Sequence, residues 1–207
     1  MDVAEIMRAL TTAAWLAALA VIIVVVARAS RGKPVKGATA AILGLIVLAS
    51  LLTVVSAGLV FIQPEERGVV ISALDPKGYR AEALQPGLRW VVPFFENVVV
   101  YPISRQTYTM SIAPSEGAVS GDDSVTARTS DGQQLYIDAS VIYAIDPQKV
   151  VDIHIQWKNR YTDELVRPQA RGIIRDAASQ FRVEEIVTSQ RDTFKSAIET
   201  VLADKLE

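Results

Sequence analysis

The sequence has no cysteine, and its one histidine is His154. The first absence removes a disulfide framework, thiolate chemistry and cysteine-ligated metals together. His154 sits in IHIQW with no second ligand type at useful spacing, so it reads as a structural or surface histidine. HExxH, Gly-x-Ser-x-Gly, a Walker-type loop and GxGxxG are also missing. Asp122 and Asp123 adjoin in SGDDS, but two adjacent acids make a weak cation site. No catalytic residue, cofactor or metal is therefore expected, and an enzyme is the least favoured class.

Charge is scarce over the first third of the chain. Ala9–Ala27 and Ala38–Ile62 carry no charged side chain over 19 and 25 residues. As helices rising about 1.5 Å per residue they would measure roughly 28 and 37 Å, against a bilayer core of about 30 Å. Both are expected to span, since a helix satisfies its backbone hydrogen bonds internally. Ala27-Arg28-Ala29 resembles a signal-peptide cleavage site. A signal peptide, however, starts basic and has a shorter apolar core, whereas this start carries Asp2, Glu5 and only Arg8. The same acids are unlike a mitochondrial transit peptide, which favours a cell membrane.

The connecting loop holds Arg28, Arg31, Lys33 and Lys36 and no acid, while the outer flanks have Asp2/Glu5 and Glu65/Glu66. The positive-inside rule puts the loop in the cytoplasm and the remainder of the chain on the extracytoplasmic side. Small residues at Ala9, Ala13 and Ala17, and at Ala49, Thr53 and Ala57, stand at a spacing that lets membrane helices approach closely, although alanine is common in any apolar helix and that is the commoner reason for such a row. No ionisable group lies inside either span, which argues against an ion or proton path.

Beyond the apolar runs the balance reverses. Gln63–Glu207 has 16 basic and 21 acidic side chains, a sign that repels a phosphate backbone, so no nucleic-acid partner is expected. RGVVISA reads as a strand and DPKG as a turn. Gln85–Ile112 is rich in β-formers and is cut by Pro86, Pro93 and Pro102, which predicts three short strands. A loop follows at 113–123. Ser130-Asp131-Gly132 then marks a hairpin into an alternating strand whose inner face is Leu135, Ile137, Ala139, Val141, Tyr143 and Ile145.

Asp146-Pro147 suggests the cap and first position of a short helix bearing Val150, Val151, Ile153 and Ile155. The series Leu165, Val166, Ala170, Ile173, Ile174, Ala177, Ala178, Phe181 makes one helical face that Pro168 should start or kink. Beside it Arg167, Arg171 and Arg175 stand four apart. They form either a basic ridge for a neighbouring subunit or a solvated face with local pairs such as Asp163 to Arg167. A last helix is expected from Ser189, boxed by Asp192, with Phe194, Ala197, Ile198, Val201, Leu202 and Leu206 on its apolar side. Phe194, Ile198, Val201 and Leu202 join the arginines as candidate subunit contacts. Trp90, Phe94 and Phe95 follow the second run by about thirty residues, where aromatics either meet lipid headgroups or enter a core.

Four segments in order, FIQPEERGVVIS, LQPGLRWVVPFFENVVVYPISRQTYTMS, SDGQQLYIDASVIYAIDPQ and LVRPQARGIIRDAASQFRVEEIVTSQRDTF, resemble the SPFH domain of prohibitins, stomatins and flotillins, prohibitin-like members above all. The resemblance implies an α+β domain of two small β-plus-helix subdomains, set after the transmembrane helical hairpin and leading into a long C-terminal helix. The expected divisions are 1–62 (spans at 9–27 and 38–62), 63–123, 124–188 and 189–207. Arg167, Pro168, Arg171 and Arg175 match the family's RP-xx-R-xxx-R element, which carries no catalysis.

Family members close into rings or cages of many copies, organise lipid microdomains, and enclose or restrain membrane proteases of the AAA class. The resemblance thus implies three partners: the bilayer, copies of this or a related SPFH chain, and such a protease. From the residues alone, an apolar and charged surface too wide for one small domain, on a laterally tethered chain, also favours side-by-side assembly. The competing expectation is a membrane-tethered binding or sensor domain that recruits one soluble partner as a monomer or dimer.

Overall fold

The computed structural model describes residues 3–31 and 37–206; Asp2, Lys33 and Lys36, used above for charge asymmetry, lie outside them, as does the side chain of Leu206. The chain forms two compact units, Met1–Pro102 and Ile103–Glu207. The 113–123 loop, expected to close the first SPFH subdomain, falls inside the second unit.

The first unit opens with α1 (Val3–Ala29) and α2 (Ala38–Gly58), two helices long and apolar enough to cross a membrane. They pair as an antiparallel hairpin. The shielded positions are Met7, Thr11, Ala14, Ala18, Val21 and Val25 on α1 and Ala38, Ile42, Leu45, Ala49, Leu52 and Ser56 on α2, with Ile46 beside them. Steps of four and three alternate on both helices, the spacing that keeps one seam facing its partner. The row Ala9, Ala13 and Ala17 is exposed, and so is Ala57, as the composition reading has it. Uniform steps of four drift about 40° each time around a helix of 3.6 residues per turn, so such a row leaves the contact. Thr53 lies beside the seam, where its hydroxyl accepts Trp15 Nε1 at 3.0 Å and donates to the Ala49 carbonyl at 2.7 Å.

The apolar run was expected to stay helical to Ile62, but α2 ends at Gly58. Leu59 turns extended (φ −79°, ψ 124°), and β1 (Leu59–Ile62) pairs antiparallel with β3 (Gly87–Trp90). Hydropathy cannot see this change, because Leu-Val-Phe-Ile is as apolar as the helix before it, though its β-branched and aromatic members suit a strand. β2 (Glu66–Ser72) pairs with β4 (Glu96–Pro102), from Glu66 opposite Pro102 to Ser72 opposite Glu96. The three strands expected from the proline spacing are present as β3, β4 and β5 (Gln106–Met110), the last in the second unit.

In that unit β6 (Val125–Arg128) and β7 (Gln134–Ile137) form the expected hairpin, turning through Gly132 at φ +79°. β8 (Ala139–Tyr143) pairs with β5, Met110 opposite Ala139. The strand expected as one piece changes partner at Asp138, whose carboxylate accepts the Ile112 N–H at 2.9 Å. Its inner face is as read, with Val141 and Ile145 buried.

Three helices follow: α3 (Val150–Gln156), α4 (Arg167–Ala178) and α5 (Arg191–Leu206). Asp146 does not cap α3. Its carboxylate takes the Gln148 N–H at 2.8 Å in a tight turn, and the helix starts three residues after Pro147. A π-helical turn, Thr162–Val166, precedes Pro168 in the first turn of α4. There the Arg167 N–H reaches back five residues to Thr162, and the proline has no N–H to continue an α register. A second such turn, Glu185–Ser189, ends where α5 was expected to begin. Tyr108, Met110, Val125, Val141, Val166, Ala170 and Ile174 build one core cluster. Ala127, Ala177, Ala178 and Phe194 build another, with Phe181 edge-on to Phe194 at 5.7 Å.

Candidate functional site

The three arginines four apart on α4 lie against consecutive parts of one strand and the loop before it. Arg167 and Arg171 both pair with the Asp123 carboxylate, Arg171 at 2.9 Å. Arg171 also donates to the carbonyls of Asp123 (2.7 Å) and Ser124 (3.0 Å), and Arg175 Nε donates to that of Thr126 at 3.1 Å. One helical turn per arginine thus matches the advance along 123–126. All three arginines of the ridge thus bond within their own chain, and the partner of Arg167 is Asp123, with Asp163 contributing only at longer range.

Asp123 is one of the two adjacent acids of SGDDS that make a weak cation site. Its side chain is 4% exposed, and the cation it takes is a pair of guanidinium groups. Tyr108 donates its hydroxyl to the other carboxylate oxygen at 3.1 Å. Burial alone would raise the Asp123 pKa, but the hydrogen bonds from Arg167 and Tyr108 and both arginine charges hold it below the usual carboxylate range. Burial, and the bond it gives to Asp123, push the Tyr108 hydroxyl up to about 12. Asp122 turns away, taking the N–H and hydroxyl of Ser124.

A groove of about 1070 Å³ runs along the β7–β8 segment, with α5 forming its other wall. Among the described residues β7 and β8 each pair with one strand, so a backbone edge stays open. Tyr136, Ile142 and Val187 line the groove and are exposed, with Ile142 at 66%. Of the apolar candidates on α5, Phe194 is in the core, Ile198 and Leu202 pack half-buried against it and also line the groove, and Val201 is exposed. This helix face is largely spent inside the chain because α5 folds back on α4.

The first unit has a different open surface. In the β1–β3 ribbon Leu59 lies opposite Trp90 and Phe61 opposite Leu88, so one face is wholly apolar. Phe61, Leu88 and Trp90 are all exposed. The adjoining turn presents Phe95 and, at 91% exposure, Phe94. Phe94 has φ +70°, a strained conformation for a bulky residue and a reason to look for function there. Glu96 holds that turn: it accepts the Val92 N–H at 2.8 Å and pairs with Arg80 at 2.5 Å. The sequence pointed to Trp90, Phe94 and Phe95; Phe61 and Leu88 became visible only through strand register.

His154 is half-buried on α3, its pKa lowered by burial and by Lys158. Among the described residues no three acids, histidines or cysteines gather as a metal site.

Two apolar helices that fit a membrane anchor are followed by small sheets and helices, giving a mixed α/β chain with open apolar surfaces. The chain belongs to the SPFH domain / Band 7 family, whose model matches residues 60–207. Members of that family are generally membrane-associated, non-enzymatic scaffolds. A comparison with curated proteins returned no match.

Proposed function

We propose that this chain is a non-enzymatic, multi-pass membrane scaffold that assembles side by side into a large ring or cage. The observation that carries the reading is the groove beside β7–β8. A strand edge with unpaired N–H and C=O groups, flanked by exposed Tyr136, Ile142 and Val187, is a surface that a soluble monomer would cover or blunt. A second copy covers it in a head-to-tail contact, and such contacts close into rings. Family resemblance extends the proposal to organising a membrane microdomain and restraining a protease of the AAA class, in the service of protein quality control.

Native mass in mild detergent tests assembly. The wild type should run as a particle of very many copies, and Ile142→Asp together with Tyr136→Asp should reduce it to small species. A wild type of tens of kilodaltons would instead support the tether, with the same groove receiving one soluble partner.

The β1–β3 ribbon continues from α2 without a linker, and in the proposal its apolar face rests on the bilayer surface, Trp90, Phe94 and Phe95 at headgroup depth. The SPFH domain is then extracytoplasmic, following the basic loop. Protease added to spheroplasts should digest the domain, and a domain that stays intact until lysis would reverse the orientation.

A further inference from the structure

We propose that the α1–α2 hairpin holds an anionic phospholipid in a cleft at its basic end, an inference that rests on the two helices spanning a bilayer. The cleft measures about 410 Å³ and lies between Val21, Val24 and Val25 of α1 and Ala38 and Ala41 of α2, with Arg28 on its wall. It opens because the α2 side is built from small residues where the α1 side is β-branched. A water's share of liquid volume is about 30 Å³, so the space suits a length of hydrocarbon rather than a single solvent molecule, and apolar walls offer water no partners.

Arg28 gives the ligand its sign. It stands in the last turn of α1, and its side chain has no hydrogen bond or ion pair among the described residues. No acidic residue occurs in the sequence from Ile6 to Pro64, so the local chain has nothing to neutralise it. Arg31, three residues on, is also exposed. A guanidinium group matches a phosphate oxygen pair with two parallel hydrogen bonds. A membrane lipid alone brings phosphate and hydrocarbon to one place at this depth, since free phosphate would leave the cleft empty. The acyl chain lies against the valines and alanines, and the phosphate meets Arg28.

The test uses the full chain reconstituted in phosphatidylcholine vesicles containing a minor fraction of phosphatidylglycerol, extracted into mild detergent and weighed by native mass spectrometry. The wild type should keep phosphatidylglycerol in preference to phosphatidylcholine. Arg28→Gln and Ala41→Leu should each lower retention roughly tenfold, the first by removing the charge and the second by filling the cleft, with far-UV circular dichroism unchanged. Arg28→Lys should keep part of it, as a point charge without the fork. Equal retention of both lipids, full retention in Ala41→Leu, or displacement by inorganic phosphate would each overturn the site. Carbonate extraction reports the spanning reading separately. Release of the wild-type chain would overturn that reading, whereas a chain that resists carbonate yet keeps no phosphatidylglycerol overturns the lipid site alone.

Discussion

Asp123→Asn should lower the melting temperature of the chain by roughly 10 °C at neutral pH. The substitution preserves shape and removes the charge that Arg167 and Arg171 share. Breaking a buried pair leaves the partner uncompensated, at about 3–5 kcal/mol when both ions are dry. Here the arginine side chains are 36% and 20% exposed and recover part of that from water, so about 2 kcal/mol is the better figure. A domain near a hundred residues shifts about 4–8 °C per kcal/mol. Near-UV circular dichroism in detergent reads the transition, and a variant that melts with the wild type would show that the anchor contributes nothing.

The pH dependence has a definite sign. The native pKa of Asp123 is depressed, so its contribution is present above the unfolded value of 3.8 and is lost as pH falls through the lower native value. Wild type and Asp123→Asn should therefore differ at pH 7 and converge in strong acid. The anchor also changes what charge reversal means. Arg171→Glu would set a second acid against Asp123 and the carbonyls of Asp123 and Ser124, so a lost particle would report misfolding as readily as a broken contact. Ile142 and Tyr136, exposed and without a role in the core, separate the two outcomes.

Where the sequence was legible, period and punctuation were local. Prolines cut 85–112 into three strands, Ser-Asp-Gly made the hairpin, and alternation from Leu135 assigned the inner face. The family segments brought the α/β architecture with them. What escaped needed distant residues. Asp123 finds its arginines more than forty positions away on α4, and nothing in SGDDS distinguishes it from Asp122. The seam of the hairpin depends on which face each helix turns to the other, and a row of alanines four apart looks equally good by itself. The switch from helix to strand at Leu59 is dictated by pairing with β3, invisible in a run of uniform hydropathy. The exposed apolar pair Phe61 and Leu88 follows from that same register.

That switch carries the second large effect. Gly58→Ala should detach the ribbon from the end of α2. A Cβ at this position would lie 2.4 Å from both Trp90 Nε1 and the Val91 carbonyl oxygen, far inside contact distance. The carbonyl belongs to backbone that is itself tied down, since the Val91 N–H donates to Gly58 O at 2.8 Å. Rotating the indole away therefore relieves only half of the collision. Overpacking of this kind costs about 1–3 kcal/mol, which for a local opening corresponds to roughly 5–30-fold less protection at about 1–2 kcal/mol. Amide hydrogen exchange at Val91 should show that loss, and adding Trp90→Ala should not restore it, because the carbonyl contact remains. Unchanged protection would mean that α2 and β3 shift apart without cost. If the ribbon's apolar face rests on the bilayer as proposed, its position depends on this join: with Gly58 intact, Leu59 and Phe61 continue rigidly from the membrane helix. Once the join yields, the same aromatic face hangs on a flexible strand, and each lipid contact must offset the entropy of ordering it again.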